Sequence, residues 1–267
     1  MTAAVARTLE ELRARLAEGR GKACLIAGGT DLVLHLHEHP DEEPDLIDIS
    51  SLEAMRILEK HPGETLVGAA VTFAEIEASP LLQEKAQALV MAAASMGSTQ
   101  IRNRATLGGN VANASAAADG TAALCALDAQ ALVEDYQGRQ ERLPVGALVT
   151  APGKTVLGPD RFLLAFAIPD GTGPSAFFKV GSRRAVAISK LSLALGRHLV
   201  LGSLAPSPVR AEKAQALLAG PSREAFLDAL TEAVERAIPT RASLAYKRVA
   251  VRGLGDDLWR HLKEVRS

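Results

Sequence analysis

Two pairs of adjacent glycines, Gly28-Gly29 and Gly108-Gly109, constrain this chain more than any other feature. The first pair follows the apolar run Cys24-Leu25-Ile26-Ala27 and leads through Thr30-Asp31-Leu32 into residues 32–39, which read as helical up to Pro40. The order is strand, glycine turn, helix. With no Cβ in the way, consecutive glycines let backbone N–H groups approach an anion closely. A tight turn alone would use the same residues. The run is not the GxGxxG fingerprint, which argues against a Rossmann sheet. The second pair sits in Thr106-Leu107-Gly108-Gly109-Asn110, after Gln100-Ile101-Arg102-Asn103-Arg104 and ahead of Asp119. Two such loops can grip a diphosphate from two sides, with the Thr30 and Thr106 hydroxyls and the Asn110 amide as further donors.

The rest of the chain supplies a scaffold for these loops. Thr8-Leu9-Glu10-Glu11 has capping-box spacing and opens a short helix carrying Leu9, Leu12 and Leu16. Residues 46–49 and 66–71 read as strands, Thr72 and Glu75 cap a short helix, and Pro80 begins an alanine-rich helix running to about Ser95. Residues 96–119 are small and polar but punctuated by Ile101, Leu107 and Val111, the texture of an ordered loop wrapped on a ligand. Strands at 129–134 and 162–168 precede the turn Gly171-Thr172-Gly173-Pro174, the expected domain boundary. Beyond it, 176–180 and 188–201 read as a small antiparallel sheet, and 211–219, 223–238 and 243–264 as helices.

Composition excludes whole classes of function. Thirty basic residues stand against 31 acidic, a formal net charge of -1, so nothing favours a nucleic-acid backbone or an anionic lipid surface. No stretch approaches the roughly 20 apolar residues of a membrane span, and residues 1–16 lack a secretory pattern, so a cytoplasmic protein is expected. The only two cysteines, Cys24 and Cys125, are too few for an iron–sulfur cluster or a closed zinc site and read as buried core thiols. Metal-centred redox chemistry would have to reside on another polypeptide. His35 and His39 share a helical face, but without an HExxH glutamate or a third ligand they read as exposed helix-end residues.

The AGGTDL run at 27–32, the QIRNRATLGGNVANAS run at 100–115, and Asp119 nine residues after Asn110 resemble the flavin-binding medium subunits of the xanthine dehydrogenase and carbon monoxide dehydrogenase family of molybdenum hydroxylases. The resemblance continues through Phe162-Leu163-Leu164, Phe178-Lys179-Val180-Gly181-Ser182-Arg183-Arg184, Ala205-Pro206-Ser207-Pro208 and Arg241-Ala242-Ser243-Leu244, and so spans nearly the whole chain. It implies an α+β fold: a two-subdomain FAD-binding domain of the vanillyl-alcohol-oxidase and MurB-like type over residues 1–172 (subdomains about 1–52 and 53–172), then a smaller C-terminal domain of antiparallel sheet plus helices over 173–267.

The same resemblance implies FAD as cofactor and assigns roles. Leu25, Ile26, Ala27, Gly28, Gly29, Thr30, Asp31 and Leu32 would hold the pyrophosphate and adenosine side; Thr106, Leu107, Gly108, Gly109 and Asn110 would hold the other side of the diphosphate. Asp119 would accept a ribityl hydroxyl, Leu163 would pack near the ring system and Lys179 would lie close to the isoalloxazine. Met96 stands where some relatives carry an aromatic side chain beside the flavin. Read without the resemblance, Asp119 is an N-cap for a helix at 121–127 and Lys179 an exposed edge residue, while Arg183 and Arg184 are solvated charges or partner contacts. Iron–sulfur clusters and molybdopterin would belong to a small and a large partner subunit, with NAD, a quinone or oxygen as electron acceptor. The competing functional reading is a self-contained FAD-dependent oxidoreductase acting directly on a small substrate. It needs an acid or base over the ring, for which the sequence offers no candidate.

Overall fold

The computed structural model describes residues 3–19, 22–183 and 186–266. Its chain begins with β1 (Ala3–Val5), α1 (Leu9–Gly19), β2 (Ala23–Ile26), α2 (Leu32–Glu38) and β3 (Asp45–Asp48). These strands form a parallel sheet in the order β1-β3-β2, with Cys24 opposite Leu46 and Leu25 opposite Ile47. Parallel neighbours need crossover connections, and α1 and α2 supply them. The Thr8 hydroxyl accepts the Glu11 N–H at the start of α1, and Leu12 and Leu16 bury its inner face. The Glu11 carboxylate accepts from the Arg7 N–H, so the expected box closes one residue early.

The second sheet is antiparallel, in the order β4-β5-β10-β6-β7, built from β4 (Leu58–His61), β5 (Glu64–Gly68), β6 (Gln130–Asp135), β7 (Gln140–Pro144) and the central β10 (Arg161–Pro169). A small hairpin, β8 (Val149–Ala151) and β9 (Lys154–Thr155), follows the short α9 (Val145–Leu148). Between β5 and β6 run α3 (Phe73–Ala78), α4 (Pro80–Lys85), α5 (Gln87–Ala94), α6 (Thr99–Arg102), α7 (Leu107–Ala112) and α8 (Asp119–Ala126). Thr72 and Glu75 form the expected capping box on α3, and Ser79 with Pro80 starts α4.

The single helix expected up to Ser95 is broken at Ala86, whose φ of -146° and ψ of 49° are not helical. The break lets the Ala88 N–H reach the Ser175 hydroxyl, 87 residues away, which caps the second segment from a distant part of the chain. Nor are residues 96–119 merely a loop. The hydroxyls of Ser98 and Thr106 cap α6 and α7, and Leu107 and Val111 are buried against the core.

The third sheet, β11 (Ala176–Val180), β12 (Leu191–Leu195), β13 (Leu199–Gly202) and β14 (Val209–Arg210), is antiparallel in that order, followed by α10 (Glu212–Leu217), α11 (Arg223–Ala237) and α12 (Leu244–Arg266). Every residue of β12 is buried. Leu191, Leu193 and Leu195 pack into the cluster formed with Phe226, Leu227, Leu230 and Val234 of α11 and Leu254 and Leu258 of α12, while Ala194 belongs to the cluster of the preceding units. The strand is covered on both faces, and its one hydroxyl residue, Ser192, is buried with the four apolar ones.

Cys24 and Cys125 are partly buried rather than fully enclosed core thiols. Burial still pushes the Cys125 thiol up to about 12 and raises that of Cys24. The first and second sheets are tied by an ion pair. Fully buried Glu134 of β6 accepts from Arg13 Nε of α1 at 2.8 Å and from Gln140 Nε2 at 2.7 Å. Glu134→Ala leaves Arg13 only its longer contact with Glu10 and should cost about 3 kcal/mol, near the lower end for a broken buried pair because Arg13 keeps some access to water. Glu134→Gln, which can still accept one bond, should cost clearly less; urea unfolding of the two variants measures the difference.

Candidate functional site

The first glycine loop leaves the end of β2 and turns into α2. Gly29 has a φ of +71°, open to glycine at little cost, and a Cβ built on Gly28 would lie 2.1 Å from the carbonyl oxygen of Arg104. This loop is therefore packed backbone against backbone on the segment entering the second loop. The carbonyls of Gly29 and Asp31 accept the N–H groups of Val33 and His35. The backbone N–H groups of Gly28, Gly29, Thr30, Asp31 and Leu32 have no intramolecular acceptor among the described residues. Consecutive N–H groups left open in this way form an anion-accepting concavity. Thr30 Oγ1 donates to Asp31 Oδ2 at 3.0 Å, and Asn113 Nδ2, just beyond α7, donates to Asp31 Oδ1 at 3.1 Å, a second stitch between the loops.

The second loop is built differently. The Leu107 and Gly108 N–H groups donate to the carbonyls of Val71 and Ala69, that of Gly109 to Thr106 Oγ1 and that of Asn110 to the Thr106 carbonyl. The glycine amides expected to face an anion here are already engaged inside the protein, because residues 106–112 form a capped helical turn rather than an open loop. Gly108 is required by packing: a Cβ there would stand 2.7 Å from Ala69. Gly109 is open, and its Cβ would meet only Thr106 Oγ1, at 3.0 Å. Asn110 Oδ1 is buried with no hydrogen-bond partner and faces Gly120, where a Cβ would come within 2.7 Å of it. A buried acceptor left single carries a free-energy cost unless a ligand group meets it.

Asp119 is not the cap of its helix. Ala118 occupies that position, and Asp119 is the first residue of α8, only 4% exposed. Its Oδ2 accepts from Lys179 Nζ at 2.8 Å and its Oδ1 from the Ser189 hydroxyl at 2.6 Å. Lys179 lies on the edge strand β11, but its side chain is 14% exposed and also donates to the Ala187 carbonyl at 3.3 Å, so it is not a solvated edge charge. Burial raises the Asp119 carboxyl above the usual range, opposed by the Lys179 ammonium and the Ser189 hydroxyl. Ser189 was invisible in the sequence, since a serine 70 residues from its partner belongs to no motif.

Leu163 is buried in β10 beside the bulge between Leu163 and Ala165. The neighbouring Leu164 carbonyl accepts from Ala69, whose own carbonyl accepts from Gly108, so Leu163 is linked to the second loop through one residue. Met96 packs half-buried against the core, and its carbonyl accepts from Arg102 Nη1 at 3.1 Å. Arg183 donates to the Val186 carbonyl, while Arg184 lies outside the described residues. His35 pairs with Glu42, and His39 Nδ1 meets the His35 carbonyl. A cleft of about 350 Å³, lined by Gly28, Arg56, Glu75, Arg104 and Thr106 among others, opens along the junction of the two loops.

Residues 1–171 match the family described as FAD binding domain in molybdopterin dehydrogenase. The chain is 33% identical to the xanthine dehydrogenase FAD-binding subunit of Escherichia coli O157:H7 over 83% of its own length and 81% of that protein. It is 29% identical to the nicotinate dehydrogenase FAD-subunit of Eubacterium barkeri, covering 93% and 91% of the two chains. Its fold is that of a chain of carbon monoxide dehydrogenase from Hydrogenophaga pseudoflava, with a TM-score of 0.83 at 23% identity over 96% of this chain and 94% of that one.

The two glycine pairs should separate on substitution. Gly28→Ala drives a methyl into a backbone carbonyl that cannot move without its loop and should cost about 3 kcal/mol or more. Gly109→Ala, meeting one hydroxyl, should cost less than about 1 kcal/mol. Thermal unfolding of both variants tests this; equal losses would contradict the packing described.

Proposed function

Because the chain belongs to the family of FAD-binding domains of molybdopterin dehydrogenases, we propose that it carries FAD as the medium subunit of a multi-chain molybdenum hydroxylase, receiving electrons from an iron–sulfur subunit and passing them to an external acceptor. Two features of the chain itself fit the cofactor. Five consecutive N–H groups over Gly28–Leu32, unpaired among the described residues, match the demand of a diphosphate for donors, and the acceptor Asn110 Oδ1 matches a ligand hydroxyl or amine. The row of free amides carries the proposal.

In this reading residues 25–32 hold the pyrophosphate and adenosine side, while Thr106, Leu107, Gly108, Gly109 and Asn110 form the opposite wall. That wall contributes close approach and the Asn110 side chain rather than glycine amides. Asp119 takes a ribityl hydroxyl, Leu163 and Met96 border the ring system, and Lys179 sets a positive charge beside the isoalloxazine. When bound, the flavin supplies reversible electron acceptance and donation. An ammonium held in a partly water-excluded site stabilises negative charge developing on a neighbouring group more strongly than it would in water. The flavin-binding unit is taken as residues 1–172, with subdomains about 1–52 and 53–172, and the C-terminal unit as 173–267. Substrate oxidation would take place at a molybdopterin centre on a large partner subunit, and the acceptor would be NAD, a quinone or oxygen. Among the described residues no cluster of His, Cys, Asp and Glu could hold a metal, and no helix is long and apolar enough to cross a membrane.

The purified chain mixed with FAD should show protein-bound flavin absorbance after gel filtration. Gly109→Val, whose Cβ would meet only Thr106 Oγ1, at 3.0 Å, should weaken FAD affinity at least about tenfold, or 1.4 kcal/mol, while the chain still folds. Undiminished affinity would remove the second loop from the site. Purification from the native host should bring down an iron–sulfur chain and a molybdopterin chain; a flavin-loaded chain without partners that oxidises a small substrate by itself would favour the self-contained oxidoreductase.

A further inference from the structure

Ser189 is one of the few polar residues buried in the protein, 5% exposed, and every polar group it owns except its N–H is engaged at the Asp119–Lys179 pair or directly behind it. Its hydroxyl donates to Asp119 Oδ1 at 2.6 Å. Its carbonyl accepts from the Ser203 hydroxyl at 3.0 Å, and the Ser203 carbonyl in turn accepts from Lys247 Nζ of α12. Two residues upstream, the Ala187 carbonyl accepts from Lys179 Nζ, and one residue downstream the Lys190 N–H donates to the Val180 carbonyl, extending the pairing of β11 and β12. The segment bearing Ser189 is thus fixed from behind by the third unit and presents two groups forward, one to each member of the ion pair.

A count of donors shows what this arrangement accomplishes. An ammonium has three N–H donors, and Lys179 uses one on Asp119 Oδ2 and one on Ala187, leaving one uncommitted among the described residues. A buried carboxylate seeks donors for both oxygens. With Ser189 serving Oδ1, Asp119 needs a single bond from Lys179. Without that hydroxyl, Oδ1 would be left with no donor from the protein, and the low-energy remedy is for the carboxylate and the ammonium to close on each other with both oxygens, which spends the remaining N–H and neutralises more of the charge.

We propose that Ser189 is a flavin-positioning residue, which by occupying Asp119 Oδ1 keeps the Lys179 ammonium singly paired and available to the isoalloxazine. This inference rests on the flavin reading given above and acts through Lys179; Ser189 itself need not touch the cofactor. Because reduced flavin carries more negative charge than oxidised flavin, removing the hydroxyl weakens the hold on the reduced form more than on the oxidised form.

The test is the full chain reconstituted with FAD, comparing the unsubstituted protein, Ser189→Ala and Ser189→Thr by FAD titration in the oxidised state and by spectroelectrochemical midpoint potential. Ser189→Ala should lose about tenfold in its ratio of reduced to oxidised FAD affinity, which for a two-electron couple is a fall of about 30 mV. Ser189→Thr, which retains the hydroxyl, should return the potential to the unsubstituted value, a rescue that a purely structural role would not produce. Should Ser189→Ala fail to fold, Ser189→Cys, similar in shape but a weak donor, should shift the potential in the same direction. An unchanged potential in the alanine or cysteine variant, or a threonine variant that behaves like alanine, overturns the proposal. An unsubstituted chain that binds no FAD overturns the flavin reading itself and this inference with it.

Discussion

No side chain can be placed between residue 28 and the carbonyl of Arg104, and the site depends on that exclusion. The parallel sheet of the first unit and the helices of the second meet there at backbone distance, with the Asn113 to Asp31 bond as a second tie and the Arg13 to Glu134 pair as a third, more remote one. Close approach sets the loop that bears the open N–H groups beside the segment leading into Thr106 and its helical turn. A larger residue at position 28 would separate the units, and the amides, although still present, would no longer face a second wall.

The two loops are alike in sequence and unlike in hydrogen bonding. In the first, the glycines leave donors open; in the second, the same residue type permits tight packing on Ala69 while its amides are spent on Val71, Ala69 and Thr106. The polar groups of the two sides are therefore unlike, open backbone donors on one and the side chains of Asn110, Asp119 and Lys179 on the other. The two sides also differ in what bound anions gain from them. Backbone amides are fixed dipoles that no change of pH removes, whereas the Asp119–Lys179 pair is a balance of a buried carboxyl, raised by burial, against an ammonium and a hydroxyl that oppose that rise.

Much of this was legible in the sequence because it is local. The Thr72–Glu75 box, the apolar stripe of α11 at Phe226, Leu227, Leu230 and Val234 and the glycine turn after β2 each declare themselves within a few residues. What escaped is set by distant parts of the chain. Ala86 breaks a helix that its own propensity would continue, because Ser175 caps the far side. Asp119 looks like a cap because Asp commonly is one, and only the folded position of Lys179 and Ser189 gives its carboxylate other work. Gly109 looks like an open amide because nothing nearby reveals that the Thr106 hydroxyl turns back onto it.

The segment matching the family ends at residue 171, yet Lys179 and Ser189 lie beyond it, Lys179 on β11 and Ser189 just before β12. The border drawn by sequence likeness is therefore not the border of the electrostatic environment. Grafting the first 171 residues onto the C-terminal portion of a relative would keep the open amides of 28–32 but replace the Lys179 and Ser189 groups that meet Asp119. In such a chimera the backbone donors and the partners of the buried carboxylate would be inherited from different parents.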